Sequence, residues 1–322
     1  MKLMPALKAS FSVCALGMAF AASAQAEELL KPFLSAPDQQ GDIRAVGDQI
    51  KKQLKDSGFS VVGDYVPYAR TRVLAVTSEA LKRTAGRTDR GAYGAVMRVS
   101  LAEEGKSVQV ACTNPRYLAA AYHLPDSLDK AAEALNKAVG CQEPFGSQGM
   151  SAKDVANYNY AVGMEYFEDA YDLGKFDSFD AAVKSVEASL AEKKGGVEKV
   201  YRVDIPGKQQ VVFGVAMRTE SAGGDKYGDD AFQMGMVDVD ARKRAAYLPY
   251  EILVSGNKAE ALHMRYRMAL YFPDLSMMGS GPSFFKLRSS PDAILQALRS
   301  TSGGKVEEPV QAGAWGMPGS SY

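Results

Sequence analysis

Two stretches of the chain echo each other, and the echo limits what the rest can be. Ser107–Asp126, SVQVACTNPRYLAAAYHLPD, reads as a strand, an Asn-Pro helix start and a helix closed by Pro-Asp. Arg244–Asp274, RAAYLPYEILVSGNKAEALHMRYRMALYFPD, reads as a longer version of the same order. Elements on either side recur as well. With 322 residues, 46% of them hydrophobic, there is room for a core in each copy.

Taken in order, Glu27–Gln40 is an irregular lead. Asp42–Ser57 is a helix with Ile43, Val46, Ile50 and Leu54 on one face, stopped at Gly58. Four strands follow at Phe59–Val66, Arg70–Thr77, Ala92–Leu101 and Ser107–Cys112, with a short helix Glu79–Thr84 capped by Ser78. Asn114 caps a helix with Pro115 at its first position, and a further helix runs from Ser127 to Val139. The second copy opens with a helix capped by Ser178. Its strands are Val197–Ile205, Gln209–Thr219, Ala231–Asp240 and Ala245–Ser255. Asn257 is then expected to cap a long helix Lys258–Tyr271, before a last helix Asp292–Arg299. Short connections between the strands predict an α+β fold. It has two related two-layer modules, each a mainly antiparallel four-stranded sheet with helices on one face. The modules span 27–141 and 178–300. Residues 142–177 form a linker with a Tyr-rich helix at Ser151–Leu173, and 301–322 a disordered tail.

GFSVVGDYVPY, VLAVTSEALK, GAYGAVMRVS and VQVACTNPRYLAAAYHLPD resemble the family called domain of unknown function 302. The resemblance covers residues 42–140 and, more loosely, 178–300. It implies small two-layer α/β modules that pair as dimers, and it brings no established activity. Its most visible mark is the Asn114-Pro115 helix start, from which the second copy departs with Asn257-Lys258.

Lys2 and Lys8 precede the apolar run Phe11–Ala22, which ends in Ala24-Gln25-Ala26. This is the order of a secretory signal cleaved after residue 26. Cys14 follows Val13 and lacks the setting of a lipid anchor. No later run approaches the ~20 apolar residues of a membrane span. The expectation is therefore a periplasmic or secreted protein with no transmembrane segment after signal removal. Losing Lys2 and Lys8 takes 38 basic residues to 36 against 38 acidic ones, a net charge of −2, which favours neither nucleic acid nor an anionic membrane. Cys112 and Cys141 remain after cleavage. In an oxidising compartment they can form one disulfide, although Cys112 also suits a buried strand face with Val108 and Val110.

Catalytic signals are sparse. There are two histidines, His123 and His263, with no G-x-S-x-G elbow, and no H-x-x-H or C-x-x-C. Gly223-Gly224-Asp225-Lys226 lacks phosphate-loop spacing. Arginines at the two helix starts, Arg116-Tyr117 and Arg265-Tyr266, with Arg98, Arg267 and the caps Asn114 and Asn257, form a candidate set for a small anion. Surface ion pairing is the competing account of those arginines. The thioethers of Met234, Met236, Met264 and Met268 beside His263 form an alternative copper set, since such ligands suit Cu(I); a methionine-filled core explains them equally. The expected function is non-enzymatic binding of a small ligand or a periplasmic partner protein, without a cofactor. The alternatives are copper handling and a hydrolase of unknown class. The two modules are expected to pack as an intramolecular pseudo-dimer in a monomer, with the ligand at their junction.

Overall fold

A computed structural model describes residues 28–305; the expected signal sequence, and the tail beyond residue 305, lie outside them. The chain enters through two short strands, β1 (Phe33–Ser35) and β2 (Gln39–Gln40), before helix α1 (Ile43–Asp56). Strands β3 (Ser60–Tyr65) and β4 (Thr71–Thr77), helix α2 (Glu79–Ala85), and strands β5 (Met97–Glu104) and β6 (Ser107–Thr113) follow. Helices α3 (Pro115–Ala121) and α4 (Asp129–Val139) then lead to β7 (Glu143–Phe145) and α5 (Ala152–Ala156). The second half has β8 (Tyr171–Lys175), α6 (Phe179–Ala191), β9 (Val197–Asp204), β10 (Gln210–Met217) and α7 (Asp230–Val237). It ends with β11 (Tyr250–Ser255), β12 (Lys258–Ala261), α8 (Met264–Tyr271) and α9 (Ser290–Ser302). No helix among these residues is long and apolar enough to cross a membrane.

The fold is α+β with two antiparallel sheets. One runs β3-β4-β5-β6-β1-β7, with β2 also paired to β6, and the other runs β9-β10-β11-β12-β8. Over five strands the two orders match. The ladders match in detail as well: each first hairpin slips register at one residue, Val62 in one sheet and Val200 in the other. The repeat is looser elsewhere, since the first sheet has seven strands and the second five. Four strands per sheet was thus an undercount. The missing pair, β1 and β8, hides in the stretches expected to be an irregular lead and a helix. β1 is only three residues long and follows Pro32, too short to show a period.

Further expectations fail locally, and the expected strands Ala92–Leu101 and Ala245–Ser255 each open on a 3-10 turn instead. Ser151–Leu173 is not a helix: α5 covers five residues, a loop follows, and β8 begins at Tyr171. Ala231–Asp240 is not a strand. The Asp229 side chain caps α7, and the buried residues Asp230, Gln233, Met234 and Val237 follow helical spacing. Lys258–Ala261 is a strand rather than the start of a long helix, paired with β11 across a turn at Gly256, where φ is +56°. Asn257 sits in that turn with its Nδ2 donating to the Phe176 carbonyl, and His263 caps α8 instead. Residues 301 and 302 extend α9, and Lys305 bridges Lys175.

Helix α1, with α4 packed against it, covers one face of the first sheet, and α6 and α9 the corresponding face of the second. The two remaining faces meet. The 3-10 turn Gly91–Gly94 packs on β10 and β11, and its counterpart Ala245–Tyr247 packs on β5 and β6. Close approach needs a small residue here: a Cβ on Gly63 would come within 2.9 Å of Val200 in the other half, while within the second sheet one on Gly214 would come within 2.1 Å of its partner Tyr201 ring. Helices α3 and α8 cross-bond reciprocally. Tyr117, three residues after its cap, donates to the Leu270 carbonyl at 2.7 Å, and Tyr266, three residues after its own cap, donates to Ala121 at 3.2 Å. The Tyr122 and Tyr271 hydroxyls, also equivalent, meet at 3.3 Å. These reciprocal contacts define a pseudo-two-fold axis. Both halves contribute to one continuous apolar core.

Candidate ligand cleft

The axis itself is filled. Arg98 is opposite Ala75, and Glu251 opposite Gly214, so the two hold the same place in their sheets. Their side chains form an ion pair, 0% and 1% exposed. Tyr201 donates to the Glu251 carboxylate and Arg98 to the Tyr271 hydroxyl. Burial works against the Arg98 charge, but Glu251 and the surrounding tyrosine hydroxyls offset it, so the guanidinium stays protonated. Arg267 is also buried, stacked 4.0 Å over the Tyr247 ring and 4.6 Å over Tyr250, and it donates to the Tyr247 and Pro249 carbonyls. Tyr117 and Tyr266 spend their hydroxyls on backbone across the junction. Three of the expected ligand-binding side chains, Arg98, Tyr117 and Tyr266, thus act as polar ties between the halves, and Arg267 packs within the second.

The others lie further out. Asn114 caps α3, and its Nδ2 donates to the Lys31 carbonyl. Arg116 is at the surface, paired with Asp129 at 2.5 Å and Glu28 at 3.1 Å. Asn257 belongs to the β11–β12 turn. The copper set is divided: Met268 is wholly buried in α8, and Met234 lines a cleft beside Tyr68 and Asp238. His263 and Met264 open onto a different cleft. The Cys112 and Cys141 sulfurs are bonded at 2.02 Å, tying β6 to the residue after the Gly140 cap of α4.

That different cleft, of about 640 Å³, lies at the start of α8. Two loops wall it, one before β8 and one between α8 and α9. The first brings Val162 and Met164, and the second Met277, Met278, Phe284, Phe285 and Leu287. Tyrosines from the first loop pin it in place. Tyr158 donates to the Ala269 carbonyl at 3.1 Å and Tyr160 to Leu275 at 2.7 Å, while the Tyr160 ring meets Phe284 edge-on at 4.6 Å. The tyrosine-rich segment therefore braces the second half as a loop. The rim is apolar and wet: Val162 is fully exposed, Met278 70% and Phe285 54%. Scattered surface hydrophobes are ordinary, but a group gathered around one concavity marks a binding surface.

Polar groups stand at one side of the cleft. His263 receives the Arg265 backbone N–H on Nδ1 at 3.2 Å, and its Nε2 lies 3.4 Å from the Glu165 carboxylate. Burial, with help from Arg265, pushes its pKa down to about 3, so it is uncharged at neutral pH. Arg265 pairs with Glu165, while its own Nε is buried without a hydrogen-bond partner. Arg288 lies over the Phe285 ring at 4.7 Å. Of the sequence candidates, the cleft collects Arg265, His263 and Met264. The loop residues went unread: MMGSGPSFF, with apolar residues in a Gly-Ser setting that leads into a 3-10 turn at Phe284–Leu287, was the available signal.

Compared with protein-family models, curated proteins and solved structures, the chain matches none. A functional reading therefore rests on the geometry.

Proposed function

We propose that this is an exported, non-enzymatic binding protein that takes a largely apolar small molecule into the cleft at the start of α8. The observation that carries the reading is a concavity of about 640 Å³, lined by methionine, phenylalanine and valine side chains that remain exposed at its rim. Methionine adds adaptability, since its unbranched thioether conforms to varied apolar shapes. The histidines support a binding role: His263 is a helix cap, and His123 Nε2 contacts the Ala156 carbonyl at 2.6 Å. Export rests on the leader-like order of residues 1–26, and pairing of two like modules fits the resemblance to domain of unknown function 302.

Titration with the neutral fluorophore N-phenyl-1-naphthylamine tests the reading. One saturable site is expected, weakened about tenfold or more by Val162→Asp or Phe285→Asp, each loss equivalent to at least ~1.4 kcal/mol. Both positions are exposed, so the fold tolerates the change. Absence of saturable binding, or affinity unaffected by either substitution, contradicts it.

A second reading is favoured by one observation: Met164, Met264, Met277 and Met278 line the same cleft as uncharged His263. Thioether and imidazole donors suit Cu(I). Among the described residues no group of three His, Cys, Asp or Glu side chains is assembled for a metal, so the thioethers would carry the site. Competition for Cu(I) against bicinchoninate decides it: stoichiometric transfer to the protein supports copper capture, and none rejects it.

A further inference from the structure

We infer that the molecule this cleft takes is an anionic amphiphile, its oxyanion held where Arg288 meets the start of α9. The inference rests on the binding reading above and adds the chemistry of the ligand's head. Two cations line the cleft, Arg265 and Arg288. Arg265 is committed to Glu165. The Arg288 guanidinium has no carboxylate within ion-pair distance among the described residues; its one protein hydrogen bond is to its neighbour's carbonyl, Phe285, at 3.3 Å. Its carbon lies 4.7 Å from the Phe285 ring centroid, and its remaining N–H groups are left for an acceptor.

Two residues further on, α9 begins without a side-chain cap. A 13-residue helix leaves orphan N–H groups and partial positive charge at its first turn. Pro291 and Asp292, in that turn, line the cleft. Asp292 offsets part of the dipole, yet it supplies no cap. The Ser290 hydroxyl, in the same turn, is buried with no hydrogen-bond partner. An unpaired guanidinium and an uncapped helix start meet at one end of the cleft, with the unsatisfied Ser290 hydroxyl in the same turn outside its lining; the guanidinium and the helix start can donate to an oxyanion. The methionine and phenylalanine walls take the apolar body. A carboxylate, sulfate ester or phosphate ester head offers the same oxygen chemistry, and the tail length is bounded by the cleft volume.

The test compares three ligands of one tail length by calorimetry on the full mature chain, below their micellar concentrations: dodecanoate, dodecanol and dodecyltrimethylammonium. Dodecanoate is expected to bind about tenfold or more tightly than the alcohol, and the cation most weakly. Arg288→Gln is expected to remove the dodecanoate advantage over dodecanol; the position is exposed. Dodecyl sulfate and dodecyl phosphate then rank the heads. If alcohol and carboxylate bind alike, or the advantage survives Arg288→Gln, the anion inference is overturned while the cleft reading stands. If none of the three binds, the cleft reading falls and takes this inference with it.

Discussion

Arg98 and Glu251 show what a single residue decides in this molecule. Both are buried, and each is the other's charge partner. Removing one leaves the other charged in an apolar setting, which costs far more than the pair contributes. Arg98→Met is therefore expected to cost about 3–5 kcal/mol in urea unfolding, and Arg98→Met with Glu251→Leu to recover most of it. Equal losses in single and double variants would contradict the pairing. Asp230 makes a prediction about pH. Burial raises its carboxyl pKa from 3.8 to about 7, offset in part by the Met217 N–H. A raised folded pKa stabilises below the unfolded value and is lost as pH rises through the folded one. Wild type should therefore lose stability relative to Asp230→Asn as pH rises from about 4 to 7. His263 acts in the opposite sense, losing stability as pH falls from 6.5 towards 3, so the comparison of variants isolates Asp230. The sequence places Arg98 on its strand, where it reads as a ligand contact. Its partner was not legible, because one sequence does not say which strands face each other.

Elements were legible where burial imposed one clean period. In α1, Val46, Ile50 and Leu54 are the buried face, and in α6 Val183, Val186 and Leu190, as their spacing indicates. The strands β4 and β10 are apolar runs buried along nearly their whole length, and such runs read plainly. Legibility failed where local preference and tertiary pairing disagree. Lys258-Ala259-Glu260-Ala261 are strong helix formers, yet the Gly256 turn returns them against β11 as a strand. Methionines spaced by two in α7 imitate a strand face. The cleft loops were unreadable for another reason: beyond one short 3-10 turn at Phe284–Leu287 they form no helix or strand, so no period reports which side chains converge. The Cys112–Cys141 bond joins elements 29 residues apart in sequence. Replacing both cysteines by alanine is expected to cost about 3–4 kcal/mol in the chain-entropy account. A variant as stable as wild type would show that the packing of α4 on α1 already fixes that end.

At the scale of the whole molecule, the junction on the pseudo-two-fold is filled rather than open. A junction between like modules is a natural place for a cleft, but here tyrosine hydroxyls, two buried arginines and one carboxylate fill it. The open concavity lies instead at the outer end of α8, in loops that belong to the second half. The first half offers Arg116 at the corresponding place, but Asp129 and Glu28 flank it and no methionine lines the surface beside it. Similar element order thus supports two different surfaces, and loop content separates them. The most direct test is methyl NMR of protein labelled at its methionines, titrated with N-phenyl-1-naphthylamine. The methyls of Met164, Met264, Met277 and Met278 should shift together and saturate at one equivalent, while those of Met234 in α7 and Met97 in β5 stay fixed. Shifts centred on Met234 or Met97, with the four cleft methyls unmoved, would contradict the assignment of the site.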